Sequence, residues 1–314
     1  MKWLIAFALV SCGCAAQRES LDEPYAVVLG TAQDGGLPQI GCDEELCVRA
    51  RAEGSRRRLV TSLLLADPRS GKRWLFDASP DLPLQVERAR PHPSSRRALG
   101  ARPALFDGVF LTHAHVGHYA GLMQLGREIY GARELPVRGT QRMRDFLERN
   151  GPWSLLVSSG AIVLLDMPVG SEVELAPGLF VSALRVPHRD EFSDTLAYVI
   201  RGPHAALCYL PDIDKWERWD VSLEELLGRV DVALVDGTFF EDGEVAGRSM
   251  AEILHPFIVE TLERLAKAPE TLRSRVVFTH LNHTNPASTP GSRADQRIRA
   301  AGMRVAVEGE LIRL

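Results

Sequence analysis

Three histidines fall within six residues at Thr112-His113-Ala114-His115-Val116-Gly117-His118, directly after the apolar run 108–111. That run reads as a strand, so the histidines sit where a strand gives way to a loop. Imidazoles this close in sequence converge on one point only if the backbone turns among them, and Gly117 reads as the residue that permits it. A single histidine is most often an ordinary polar residue. Three at this spacing fit neither a packed core nor a solvated face. Neutral imidazole is a preferred ligand of zinc and other first-row divalent ions, so the cluster predicts a metal centre.

The pattern around the cluster alternates. Strand-like runs occupy 25–29, 61–66, 74–76, 108–111, 161–165, 179–184, 196–200, 206–209, 232–235 and 276–279. Helix-like runs occupy 118–130, 141–150, 223–229, 249–268 and 293–301, and Ser79-Pro80 starts another that reaches Arg88. No repeat at a fixed period is visible. Many strands with interspersed helices predict a layered α/β domain. The 314 residues, 45% apolar and 25% charged, suit a soluble globular enzyme. A net charge of -4 gives no electrostatic reason to expect nucleic acid as a partner.

The histidine cluster resembles the H-x-H-x-D-H signature of the metallo-β-lactamase superfamily. The superfamily's later ligands have matches in order, at His188 in Val186-Pro187-His188, Asp212 in Tyr209-Leu210-Pro211-Asp212 and His280 in Phe278-Thr279-His280. Each follows an apolar run, as a site on the rim of a β-sandwich requires. The resemblance implies a four-layer αββα sandwich over residues 24–314 and one or two divalent ions, zinc foremost, with iron or manganese as the other choices. It assigns His113, His115 and His188 to the first ion, His118 and His280 to the second, and Asp212 to both. Asp212 and His280 are the residues it places at the reacting atoms. Asp77 matches an aspartate that supports the ligands from behind, and its plainer reading is a helix cap.

Gly117 departs from the signature, which has Asp there as a ligand of the second ion. The second ion would keep His118, Asp212 and His280 and be held more weakly, so Gly117→Asp is expected to strengthen it. Over residues 25–314 the chain resembles the branch of coenzyme pyrroloquinoline quinone synthesis protein B and related phosphodiesterases. The matching segments include Leu29-Gly30-Thr31-Ala32, Ala78-Ser79-Pro80-Asp81, Val235-Asp236-Gly237-Thr238 and His283-Thr284-Asn285-Pro286. That branch carries a structural zinc on C-x-C-x-x-C and a histidine. The matching positions here are Cys42, Glu44, Cys47 and His283, with Glu44 in place of the middle cysteine. A Cys42–Cys47 disulfide and two inert thiols are competing readings.

The implied chemistry is hydrolysis of an ester or phosphodiester, in a small-molecule or peptide substrate, by a metal-bound hydroxide. Iron-dependent hydroxylation of a tyrosine-containing peptide and non-catalytic binding are the alternatives. His92 and His204 read as loop residues and His255 as a helix residue, while Asp34 and Asp236 lie near the rim with no assigned role. Asp214, Trp216 and Trp219 read either as a cleft lining or as a packed loop.

At the N-terminus, Lys2, the apolar run 3–10 and Ser11-Cys12 read as a secretory signal too short to span a bilayer. Leu9-Val10-Ser11-Cys12 resembles the lipobox of bacterial lipoproteins. It implies a signal over 1–12, lipidation of Cys12, a polar tether over 13–23 and a lipid-anchored place in the cell envelope facing the periplasm. A misassigned start and a cytoplasmic location are the competing readings.

Overall fold

The computed structural model describes residues 21–92, 105–245, 247 and 249–314. Cys12, the signal segment and most of the tether lie outside them. The strands are β1 (Tyr25–Gly30), β2 (Ser62–Asp67), β3 (Lys72–Phe76), β4 (Gly108–Phe110), β5 (Leu135–Gly139), β6 (Ile162–Asp166), β7 (Glu172–Ala176), β8 (Leu179–Val186), β9 (Thr195–Arg201), β10 (Ala206–Leu210), β11 (Val232–Asp236), β12 (Val276–Thr279), β13 (Arg304–Val305) and β14 (Leu311–Arg313). The helices are α1 (Glu45–Ala52), α2 (Leu82–Ala89), α3 (Val116–Tyr119), α4 (Gln141–Arg149), α5 (Trp153–Ser158), α6 (Leu223–Arg229), α7 (Ile258–Arg264), α8 (Glu270–Arg273) and α9 (Arg293–Ala300).

The strands form two sheets, ordered β14-β1-β2-β3-β4-β5-β6 and β13-β12-β11-β10-β9-β8-β7. Central strands such as β1 and β2 are buried at every position, which is why they read as continuous apolar runs. Their alternate residues serve two cores. Ala26, Val28, Leu63, Leu65, Phe76 and Phe110 face the other sheet, where they meet Val181, Tyr198, Leu207 and Tyr209. Val27, Leu29, Leu64, Leu75 and Val109 face outward against Leu82, Leu122, Met143 and Leu147. The second sheet repeats this, with Val235 and Phe278 packed on Leu226, Ile258, Leu262 and Ile298. Helices on both outer faces give the four-layer αββα sandwich.

The two sheets share one pairing order. From β14 in the first and from β7 in the second, three antiparallel pairs are followed by three parallel ones. A repeat therefore exists in the topology although no period shows in the sequence. It has a consequence for the site. Within the first sheet β1, β3 and β4 run the same way, and within the second β8, β10, β11 and β12 do. The histidines and aspartates of interest all follow the C-terminal ends of these strands.

Two expected helices are broken up. The run 118–130 forms only α3 and a 3₁₀ turn over Ala120–Leu125. The run 249–268 forms only a 3₁₀ turn over Met250–Glu252 and α7, because Pro256 lacks an amide hydrogen and disfavours helical geometry at His255. His255 is consequently a loop residue, and that frees it to turn inward.

Candidate metal centre

His113, His115, His188 and Asp212 form one group of potential ligand atoms, and Asp34, His118 and His280 form an adjacent one. Asp212 lies between them. Its Oδ2 is 3.3 Å from His113 Nε2, 3.2 Å from His118 Nε2 and 3.4 Å from His280 Nε2, and its Oδ1 is 3.5 Å from His188 Nε2. His188 Nε2 is 3.3 Å from His115 Nδ1. Ligand atoms arranged tetrahedrally at zinc–ligand distances of about 2.1 Å stand about 3.4 Å apart. The spacing therefore fits ligands gathered around ions.

The other nitrogen of each imidazole is held by the protein. His118 Nδ1 lies 2.7 Å from Asp77 Oδ2, His188 Nδ1 3.1 Å from Asp214 Oδ1 and His280 Nδ1 2.9 Å from Thr238 Oγ1. His113 Nδ1 lies 3.0 Å from Thr112 Oγ1, and His115 uses Nε2 toward Glu191, at 2.9 Å. Such partners fix ring orientation and tautomer. His113 Nε2, His118 Nε2, His280 Nε2, Asp212 Oδ1 and Asp34 Oδ1 are all buried and make no hydrogen bond. Buried polar atoms are rarely left unpaired. Their concentration at one point indicates a cation as the missing partner.

The electrostatics agree. Burial is the main cause holding the histidines His113, His115 and His280 below their ordinary range, and neutral imidazole is the ligating form. Burial opposes charge on His118 as well, but the carboxylates of Asp77 and Asp212 outweigh it and raise this group, so this corner favours positive charge. Burial also works against a charged Asp212. The surrounding imidazoles, His280 and His188 first, overcome it and hold the carboxyl well below the usual carboxylate range.

Asp77 is buried behind the ligands. It accepts from Thr112 N at 2.8 Å, from Thr112 Oγ1 at 3.0 Å and from Tyr209 Oη at 3.1 Å, besides facing His118. The helix-cap reading does not apply, since Asp81 occupies the N-cap of α2. Asp77 and His280 both have positive φ, 62° and 61°. Non-glycine residues in this region cluster where structure is held for function.

The structure adds three residues that sequence reading left without a role or set aside. Asp34 Oδ1 stands 3.6 Å from His118 Nε2 and 4.0 Å from His280 Nε2. His255 places Nδ1 2.8 Å from Asp236 Oδ2 and 3.3 Å from Asp212 Oδ1. Burial lowers its affinity for a proton, but Asp236 and Asp212 together raise it to about 9. Asp236 also accepts from Thr238 at 2.7 Å, and Thr238 in turn holds His280. Asp214 orients His188. Trp216 belongs to the packed-loop reading, its indole nitrogen donating to Thr261 Oγ1, whereas Trp219 donates to the Arg185 carbonyl and also lines a cleft with His188 and Asp214.

Two expectations are corrected. Cys42, Glu44, Cys47 and His283 do not form a ligand group among the described residues. Cys47 points into a small apolar cluster with Leu37 and Ala50, and burial is the first cause pushing its thiol up to about 11. His283 turns Nδ1 to Asn282 Oδ1 at 2.7 Å. Both cysteines are free thiols in the structure, so the disulfide is not formed either. Gly117, in turn, lies outside the positive-φ region and starts no special turn. A Cβ there would stand 2.0 Å from Asp34 Oδ1, so Gly117→Asp collides with a carboxylate already in place.

Residues 72–281 match the β-lactamase superfamily domain. The chain is 30% identical over 308 residues to coenzyme PQQ synthesis protein B of Methylobacterium radiotolerans, covering 90% of this chain and 97% of that protein. Among solved structures, Zn(2+)-bound PqqB from Methylobacterium extorquens superposes with a TM-score of 0.75 at 24% identity, covering 92% of this chain and all of that one (100%). A diphosphatase from the PhnP family gives 0.64 at 18% identity, covering 93% and 97%. With the fold, the rim of histidines and a full-length match in agreement, the chain belongs to the β-lactamase superfamily and, within it, to the branch of coenzyme PQQ synthesis protein B.

Proposed function

We propose that this protein is a metallo-hydrolase that cleaves an ester or phosphodiester at a centre of two divalent ions. The observation that carries the reading is Asp212, whose carboxylate lies between two sets of imidazoles, within 3.5 Å of Nε2 of His113, His118, His188 and His280. His113, His115, His188 and Asp212 would hold one ion, and His118, His280 and Asp212 the other. Divalent ions bound there supply Lewis acidity and a water activated as nucleophile at neutral pH. The chain's own part is positioning and charge. Imidazoles bring no negative charge and Asp212 brings one against two divalent ions, so the centre stays net positive and suits an anionic phosphodiester or a developing oxyanion. Arg189, close enough to act on His115 and His255, adds to that field. A cleft of about 620 Å³ runs from His188 and Asp214 past Arg185 and Trp219, with room for a small molecule or a peptide side chain.

Purified protein should turn over bis(p-nitrophenyl) phosphate or a p-nitrophenyl ester once loaded with zinc or manganese. His115→Ala should lose the first ion in mass-spectrometric metal analysis and lose that turnover with it. Full metal content in the variant would remove His115 from the centre.

The similarity to PQQ synthesis protein B favours a second reading, oxidation of a tyrosine-containing peptide at iron. Mixed histidine and carboxylate ligands with open positions suit Fe(II) too. Oxygen uptake by the iron-loaded protein, with no ester or phosphodiester cleaved under zinc or manganese, would decide for it.

Attachment to the cell envelope through lipid on Cys12 remains part of the proposal, supported by Leu9-Val10-Ser11-Cys12. Cells fed a labelled fatty acid should label the wild-type protein and not Cys12→Ser. Equal labelling of both, or of neither, contradicts it.

A further inference from the structure

The second ligand group contains a carboxylate that the histidine motif does not supply. In the superfamily signature an aspartate stands at the position of Gly117, on the strand-to-helix turn after β4. Here a different loop, the one after β1, fills that space. Asp34 Oδ1 occupies the position a Gly117 side chain would take, 2.0 Å from its ideal Cβ, and Asp34 Cα and Cγ lie 2.9 Å from it. The backbone at Gly117 is one any residue adopts, so glycine is required by space and not by conformation.

The β1 loop is built to hold Asp34 there. Gln33 N donates to the Leu281 carbonyl at 2.9 Å, and Leu281 N donates to the Thr31 carbonyl at 2.8 Å. These bonds tie the loop to the residue after His280. Gly36 N closes a turn onto the Gln33 carbonyl at 2.7 Å, and Gly36 has a φ of +66°, which places Asp34 at a corner of that turn. The carboxylate is thereby fixed between His118 and His280. Its Oδ1 is buried without a hydrogen-bond partner, as are His118 Nε2 and His280 Nε2. Three unpaired ligand atoms of the right chemistry thus face one another.

We infer that Asp34 is a ligand of the second ion and replaces the aspartate missing from the histidine motif, its space made by the glycine at 117. The inference rests on the proposed two-ion centre. Asp34, His118 and His280 with the shared Asp212 give the second ion four protein ligands, two of them carboxylates, so its retention is not weakened by Gly117. The two positions are mutually exclusive, since a side chain at 117 and the carboxylate of Asp34 claim one volume.

The test counts zinc by mass spectrometry after dialysis against a weak chelator, with unfolding midpoints recorded alongside. Wild type should retain two equivalents. Asp34→Ala and the isosteric Asp34→Asn should keep the fold and the first ion, and the second ion's affinity should fall by at least about 10- to 100-fold. Gly117→Asp alone should gain no metal, because it meets Asp34. The double variant Asp34→Gly/Gly117→Asp should recover the second equivalent by moving the carboxylate back to the motif. Two tightly held ions in both single variants at Asp34 would overturn the inference while leaving the two-ion centre standing. Fewer than two ions in the wild type would overturn the centre itself.

Discussion

Replacing Asp212 with Ala should remove tightly bound metal from both halves of the centre and lower kcat/KM for any ester substrate by about 10²–10³-fold or more. The reason is its position. One carboxylate oxygen sits within 3.4 Å of three imidazole nitrogens from two separate segments, His113 and His118 after β4 and His280 after β12. The other approaches His188 and His255. Among the described residues no other carboxylate stands between the two groups. His113, His115 and His188 would still form a three-histidine site, so a weak single equivalent is expected to survive in Asp212→Ala. Thermal melts provide an independent readout. A ligand at 1,000 times its Kd stabilises the folded state by about 4 kcal/mol, which is on the order of 10 °C for a domain of this size. Wild type should show such a rise on adding zinc, and Asp212→Ala only a fraction of it. Two tightly bound ions and wild-type turnover in the variant would mean that the carboxylate does not join the two groups.

The ligands legible in the sequence share one property, that each follows an apolar run closely. His113, His188, Asp212 and His280 all lie within three residues of a strand end. Local spacing therefore predicts their placement. Asp34 is also in a loop after a strand, but what puts it in the site is its tie to Leu281, far along the chain. No local pattern encodes that tie, and the motif alone suggests only that a carboxylate is missing. His255 was hidden for another reason. Its surroundings follow a helical pattern, and the signal against it was the single residue Pro256. The zinc reading of Cys42, Glu44, Cys47 and His283 failed in the opposite way. The spacing is favourable, but the four side chains do not gather as a ligand group among the described residues, and Cys47 packs with Leu37, Ala50 and Cys42. The repeated pairing order of the two sheets is invisible in the sequence because it resides in strand direction, which no local residue pattern records.

Asp77 offers the sharpest separation between holding the fold and holding the metal. Its carboxylate is fully buried and accepts hydrogen bonds from the Thr112 backbone, the Thr112 hydroxyl and the Tyr209 hydroxyl, besides facing His118 Nδ1. Asp77→Ala leaves these donors buried without an acceptor, at about 1–3 kcal/mol for each one not re-paired. The expected loss is about 3–5 kcal/mol, or roughly 10 °C in Tm. Asp77→Asn should behave differently. Asparagine keeps the shape, tolerates the positive φ of 62° and still accepts through one oxygen, so the fold should lose much less. Its amide, however, carries a donor where the carboxylate carried an acceptor. If the amide nitrogen faces His118, it donates to Nδ1 and drives the proton of a neutral ring to Nε2, the atom turned toward Asp212 and Asp34. A protonated Nε2 cannot ligate. Asp77→Asn should therefore keep the first ion, release the second and lose activity out of proportion to its small change in Tm. Wild-type retention of two ions in Asp77→Asn would show that Asp77 supports the backbone at residue 112 and not the tautomer of His118.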